Sequence, residues 1–168
     1  MSTTDWWVLF DWGGTLMSED GPLDMPMALW PEVREIAGAR ETLEALSRDC
    51  RLGIVTNASV SRRNMIETAL GRVGLRGFIS EIFCYTEIGL RKDSPAFWRH
   101  VLQHTHADPA RVVVVGDTLE QDVIGPREAG LFSVWFDASG SGAPHTYPVI
   151  HELPDIIEIV RALQAQDR

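Results

Sequence analysis

The chain is nearly without lysine: Lys92 stands alone among 168 residues, against 14 arginines. Cations are outnumbered overall, 15 Lys and Arg against 24 Asp and Glu, for a formal net charge of −9. That balance excludes a general binder of nucleic acid or of anionic membranes, because phosphate backbones demand cationic surface. Cysteine is scarce as well. Cys50 and Cys84 provide no disulfide framework, and Cys84 lies in an apolar run, which predicts a reduced, buried thiol. No apolar stretch approaches the roughly 18 residues of a membrane helix. The N-terminus lacks a basic segment followed by a long apolar one, so the expected compartment is the cytoplasm. Walker-type loops, dinucleotide fingerprints and serine elbows are missing too.

What remains is ordinary globular composition, 45% apolar and 23% charged, at a length that suits one domain spanning residues 1–168. One stretch departs from the ordinary: Trp6 to Leu16, WWVLFDWGGTL. Its five apolar residues, Trp6 to Phe10, are too few for a helix and suit a buried strand. The run stops at Asp11; two glycines then free the backbone to turn, and Thr15 supplies a hydroxyl. In an open α/β sheet, ligands sit beyond the carboxyl ends of the strands, where this carboxylate falls. An Asp-Gly turn closing a strand is the plainer alternative.

Further along, Met17 to Met27 is polar and turn-rich and reads as a short flap, at about 16–28, over the strand end. A helical pattern starts at Pro31, is interrupted by Gly38, and resumes from Ala39 with Leu43, Leu46 and Cys50 on one face. LGIVT, Leu52 to Thr56, is a second strand; Ser59 or Ser61 can cap the following helix, which ends at Gly71. IFCY within Phe78 to Tyr85 is a third strand, followed by a loop over Thr86 to Asp93 and a helix opened by Ser94-Pro95. Val112 to Val115 runs into Gly116-Asp117, a helix follows over Gln121 to Ala129, and Leu131 to Phe136 is a fifth strand. A loop from Ser139 to Pro148 and a helix from Asp155 to Gln164 close the chain. Strands alternating with helices, and β-branched runs without polar alternation, imply an α/β fold with a parallel sheet covered on both faces.

In such a sheet Asp11, Thr56-Asn57 and Asp117 share one edge, and Lys92 lies in a loop after another strand. Asp11, Asp117 and Asp122 make a hard-oxygen environment suited to Mg²⁺; Asp122 alone also reads as a helix N-terminal charge. A tight site holding a carboxylate and a phosphoryl oxygen favours the compact head of lysine over the arginine fork, although a single lysine has to fall somewhere. His100, His104 and His106 include an i, i+4 pair that could chelate zinc, with no third ligand evident. Trp12, beside Asp11, suits core or rim packing and, alternatively, a substrate contact.

The pattern resembles the haloacid dehalogenase superfamily, whose members are mostly Mg²⁺-dependent aspartyl phosphatases. Its four motifs are matched in order by Asp11-Trp12-Gly13-Gly14-Thr15, by Thr56-Asn57, by Lys92, and by Gly116-Asp117 with Asp122. The resemblance implies a Rossmann-like parallel sheet, here of about five strands; because Asp11 to Thr56 holds only the flap and one helix, and Asn57 to Lys92 one helix and one strand, the chain resembles members with no large cap domain. It implies Asp11 as the nucleophile, forming an aspartyl-phosphate. Mg²⁺ would be held by Asp11, the carbonyl of Gly13 and Asp117, with Asp122 acting through water. Thr56 and the amides near Asn57 would bind phosphoryl oxygens, and Lys92 would neutralise charge on the transferred group. The expected partner is a small phosphorylated or similar anionic substrate, or a phosphate carried on a macromolecule; an open site also suits a homo-oligomer.

One departure matters. The family's phosphatases carry an Asp two residues after the nucleophile, which protonates the leaving group; here that position is Gly13. A backbone carbonyl still binds metal, but the acid is gone, at a typical cost of about 10²–10⁴ in rate. Glu19, Asp20 or Asp24 in the flap could stand in. The expected function is therefore a phosphohydrolase with weakened leaving-group protonation. The alternatives are a catalytically weak or inactive phosphate-binding or protein-interaction module, and a dehalogenase-like hydrolase.

Overall fold

The computed structural model describes residues 5–140, 142 and 146–167. Six strands form one parallel sheet in the order β3-β2-β1-β4-β5-β6. They are β1 (Trp7–Phe10), β2 (Arg51–Thr56), β3 (Glu81–Cys84), β4 (Val112–Gly116), β5 (Phe132–Phe136) and β6 (Val149–Ile150). The sixth corrects the expected five: the two residues just after the Ser139–Pro148 stretch pair with β5, Trp135 with Val149 and Phe136 with Ile150. A two-residue strand is too short to show any alternation in sequence. Of that loop, residues 141 and 143–145 lie outside the described residues.

Every residue of β1 is buried, as is all of β4. Their side chains point alternately to two layers. Val8, Phe10, Val113 and Val115 join one apolar cluster, with Leu43 and Leu46 of α1 (Ala39–Leu46) and Ile156 and Val160 of α6 (Ile156–Gln166). Trp7, Leu9, Val112 and Val114 join the other, with Phe97, Trp98 and Val101 of α4 (Pro95–Thr105). Such two-sided burial is why these strands lack polar alternation.

Helix α2 (Arg63–Arg72) begins later than the serines allowed: Arg62 holds the N-cap position with no side-chain cap, and Ser61 is buried with its carbonyl accepting from the Thr86 hydroxyl at 2.9 Å. Residues 31–38 are not helical either. Ser18 N donates to Arg34 O and Ile36 N to Leu16 O, both at 2.8 Å, so this backbone pairs with the flap instead of with itself. The helix waits for Gly38, whose φ of 81° only glycine adopts freely. Tyr85 belongs not to β3 but to the one-turn helix α3 (Tyr85–Ile88), which runs on into the stretch expected as loop from Thr86. The helix expected over Gln121–Ala129 is a π-helical turn, Leu119–Ile124, followed by the short α5 (Gly125–Glu128), whose Pro126 has no amide to donate. At α4 the expected cap is present: Ser94 Oγ accepts from Ala96 N at 3.3 Å, with Pro95 in the first turn.

The flap is tied down. Trp30 Nε1 donates to the carbonyls of Pro22 at 2.9 Å and Met25 at 3.2 Å. From α2, the Arg72 guanidinium reaches the carbonyls of Ala28, Trp30 and Pro31.

Candidate active site

Strand β1 lies between β2 and β4, and the chain leaves it for one neighbour and later returns to the other. Ligands of open α/β sheets bind at such a reversal, beyond the carboxyl ends. Asp11 emerges there, its amide donating to Val115 O at 2.9 Å, which locks the tip of β1 to β4. Thr56 ends β2 with Asn57 beside it, and Asp117 follows β4. The structure therefore brings together the expected residues of all four motifs.

Lys92 is 1% exposed. Its Nζ lies 2.7 Å from Asp11 Oδ1 and 2.6 Å from Asp122 Oδ1. Burial works against the ammonium, but the charges and hydrogen bonds of Asp11 and Asp122 outweigh it and hold its pKa above the usual lysine value. Its backbone is fixed from two sides: Lys92 N donates to Asn57 Oδ1, and Trp98 Nε1 donates to Lys92 O, both at 2.8 Å. Trp98 escaped the sequence reading because a tryptophan in the second turn of an amphipathic helix looks like any core residue.

Asp122 is fully buried inside the π-helical turn, and its Oδ2 accepts from Thr118 N at 3.0 Å. Gly116 admits it, since a Cβ there would lie 2.2 Å from Asp122 Cγ. Gly14, with φ of 81°, does the same for Asp117, whose Oδ2 would meet a Cβ at 2.5 Å. The Thr15 hydroxyl is within reach of Asp11 Oδ2 at 3.3 Å and Asp117 Oδ1 at 3.2 Å. Gly13 has no side chain; the space beside it is taken by the Glu19 carboxyl, 2.1 Å from where a Cβ would stand.

Asp11, Asp117 and Asp122 each offer a carboxylate oxygen within 4.8 Å of one another. Three acids face one ammonium. Burial, a hydrogen bond with Asp11 and the charges of Asp11 and Asp122 push the Asp117 carboxyl up to about 8. Burial and the Asp11 charge also raise Asp122, against the pull of Lys92. Oxygen donors short of positive charge are what a hard divalent cation requires. Glu19 is likewise raised, by partial burial and then by Asp11, with Lys92 opposing.

A cleft of about 310 Å³ opens above these groups. Asp11, Thr56 and Asn57 form part of its polar lining, while Leu23, Met25 and Val60 supply apolar wall. Leu23 is 63% and Val60 42% exposed, apolar surface left facing the opening. Trp12 is 4% exposed and joins the apolar cluster that holds Leu16 and Trp30. Two buried donors in residues lining the cleft, Trp12 Nε1 and Asn57 Nδ2, have no partner. The histidines form no comparable site. His100 and His104 stack at 6.4 Å and His104 Nε2 is 3.6 Å from Glu81, but among the described residues the three aspartates are the cluster able to hold a metal.

A Rossmann-like parallel sheet that gathers three aspartates and a buried lysine beyond its carboxyl edge defines the class: an α/β protein with a charged site at its switch point. The chain belongs to the haloacid dehalogenase-like hydrolase family, whose sequence model matches residues 26–136, more than half of its length. Pyrimidine 5'-nucleotidase YjjG of Escherichia coli (strain K12) is 28% identical over 155 residues, covering 87% of this chain and 68% of that protein. The first curated relatives are spanned over 43% to 68% of their own length. An uncharacterized protein from Listeria monocytogenes serotype 4b superposes with a TM-score of 0.82 at 23% identity, over 95% of this chain and 98% of that one, which establishes the fold. The HAD-hydrolase YfnB from Bacillus subtilis, bound to magnesium, has a TM-score of 0.67 at 26% identity over 76% of this chain and 56% of its own. No helix among the described residues is long and apolar enough to cross a membrane.

Proposed function

We propose that the chain is a Mg²⁺-dependent phosphohydrolase in which Asp11 is phosphorylated and then hydrolysed. The observation that carries this reading is the placement of Asp11, held by Lys92 at 2.7 Å and within 4.8 Å of two further carboxylates, at the polar end of an open cleft. A lone nucleophilic carboxylate would be repelled by a phosphate dianion. Lys92 offsets that repulsion and stays charged through the reaction.

The donor set fits a magnesium ion: hard oxygens, converging, with excess negative charge. Asp11, Asp117 and the carbonyl of Gly13 would hold it, with Asp122 acting through water. When bound, the ion supplies charge neutralisation between the two anions. YfnB, a relative in fold and sequence, was crystallised with magnesium.

The phosphoryl oxygens meet donors already in place. Thr56 Oγ1 accepts from Ala58 N at 3.1 Å, which leaves its own proton free to donate. Asn57 Oδ1 is engaged by Lys92 N, which leaves Nδ2 without a partner until an anion arrives. Buried donors of this kind call for an acceptor, and a phosphoryl oxygen is one. The apolar wall from the flap then faces the organic part of a small phosphate ester, and YjjG, a 5'-nucleotidase by name, is a relative of that chemistry.

The test is turnover of p-nitrophenyl phosphate with Mg²⁺ or with chelator, in the wild type and in Asp11→Asn. Metal-dependent turnover lost in Asp11→Asn supports the reading. Turnover that survives the substitution overturns it, and so does silence on aryl, acyl and alkyl phosphates alike, which would leave a phosphate-binding module. Metal-independent halide release from a haloacid would instead identify a dehalogenase.

A further inference from the structure

Position 13 carries no side chain, yet the volume its side chain would fill is not empty. An ideal Cβ on Gly13 would lie 2.1 Å from Glu19 Oε1, 2.7 Å from Glu19 Cδ and 3.0 Å from Glu19 Cγ. A carboxyl delivered from the flap thus occupies the place where a carboxyl rooted at residue 13 would begin. Glu19 lines the same cleft as Asp11, Thr56 and Asn57. The other two flap acids do not. Asp20 turns to Arg34 Nη2 at 3.3 Å, and Asp24 is exposed and away from the cleft lining.

The flap is held well enough to present that carboxyl. Ser18 N, the amide just before Glu19, donates to Arg34 O at 2.8 Å, and Met17 bridges to both Gly13 and Glu35. Gly14 N donates to Met17 O at 2.8 Å, closing the turn that carries residue 13 onto the segment that leads to Glu19. The two positions are joined through backbone, so the approach of Glu19 to Gly13 does not depend on one side-chain rotamer alone.

We propose that Glu19 is a catalytic residue of this site, the group that protonates the departing oxygen of the phosphate ester. The inference rests on the phosphohydrolase reading above. In the first step Asp11 Oδ bonds to phosphorus, the bond from phosphorus to the ester oxygen breaks, and that oxygen takes the Glu19 proton and leaves as an alcohol. In the second, water attacks phosphorus, the bond to Asp11 breaks, Glu19 takes a proton from the attacking water, and phosphate leaves. Both carboxyls return to their starting state.

The two designs also compete for the same space. An aspartate at position 13 collides with Glu19 as it stands, so Gly13→Asp alone crowds the site, whereas Gly13→Asp with Glu19→Ala exchanges one carboxyl for the other.

The experiment compares three esters of one shape class with progressively poorer leaving groups: p-nitrophenyl, phenyl and benzyl phosphate. In Glu19→Gln, kcat/KM is expected to fall more steeply at each step of that series, reaching a loss of about 10²–10⁴ for benzyl phosphate, the usual worth of a general acid. Gly13→Asp/Glu19→Ala is expected to recover benzyl phosphate turnover relative to Glu19→Ala. A loss of equal size on all three esters, or none, overturns the proposal, because a structural or binding role has no leaving-group dependence. A double variant with p-nitrophenyl phosphate turnover but no recovery on benzyl phosphate overturns it too. If the wild type turns over none of the three, the phosphohydrolase reading fails first and Glu19 with it. Thermal unfolding of each variant separates these results from simple loss of fold.

Discussion

Lys92 Nζ and Asp122 Oδ1 stand 2.6 Å apart, with side chains 1% and 0% exposed. Asp11, just past the tip of β1, meets the same ammonium at 2.7 Å. One lysine therefore neutralises two carboxylates at once, Asp122 shut away from solvent and Asp11 lining the cleft. An arginine fork is wider and planar, whereas the compact ammonium sits 1% exposed between two carboxylates at 2.7 and 2.6 Å, a physical reason for lysine in a chain that otherwise uses arginine.

Removing the ammonium should be costly. Lys92→Met leaves Asp11 and Asp122 buried without a counter-charge, and breaking a buried pair in this way typically destabilises by about 3–5 kcal/mol. Urea unfolding at neutral pH should show that loss, and the loss should shrink as pH falls and the orphaned carboxylates protonate. Equal stability of variant and wild type at neutral pH would mean that Lys92 does not neutralise the pair.

Magnesium should stabilise the fold, and more so at higher pH. The folded protein raises the Asp117 carboxyl to about 8. A carboxyl raised on folding contributes stability fully below its unfolded value, and that contribution is lost as pH climbs through the folded value. Between the ordinary carboxylate range and about pH 8 the metal-free protein therefore loses this contribution. A bound cation takes the place of the proton. The rise in Tm on adding Mg²⁺ should be larger at pH 8 than at pH 5, and a rise independent of pH would contradict the competition between ion and proton.

Trp98→Phe should loosen Lys92 while keeping the packing of α4. The indole donates to Lys92 O at 2.8 Å, and a phenylalanine ring has no donor to offer that carbonyl. An unsatisfied buried carbonyl costs about 1–3 kcal/mol. Turnover at saturating substrate should fall beyond what stability explains, by up to about 10²-fold if the ammonium shifts by an ångström. Denaturant unfolding and steady-state kinetics of the same preparation separate the two effects.

Most of the sheet was readable in advance because burial on both faces leaves an unmistakable apolar run. Val112 to Val115 and Trp7 to Phe10 show it. The end residues Asp11, Thr56 and Asp117 were readable because a polar residue that abruptly closes such a run must lie at its tip. The errors came where backbone hydrogen bonds are made with a distant partner. Residues 31–38 carry a helix-like pattern but give their amides and carbonyls to the flap, and β6 exists only because β5 offers it an edge. The serines before α2 have capping chemistry, yet Ser61 is buried against Thr86 and caps nothing.

Sequence alone determined the class of fold, the acids at the strand tips, the solitary lysine and the glycine two residues after Asp11. All of these follow from which residue types stand beside which, information carried by near neighbours. Tertiary structure decided which distant groups share space: Lys92 between Asp11 and Asp122, the Trp98 indole beneath it, and Glu19, rather than Asp20 or Asp24, against Gly13. Such choices depend on how a connecting segment folds back over the sheet, and three carboxylates within six residues of flap look alike until the backbone turns one of them inward.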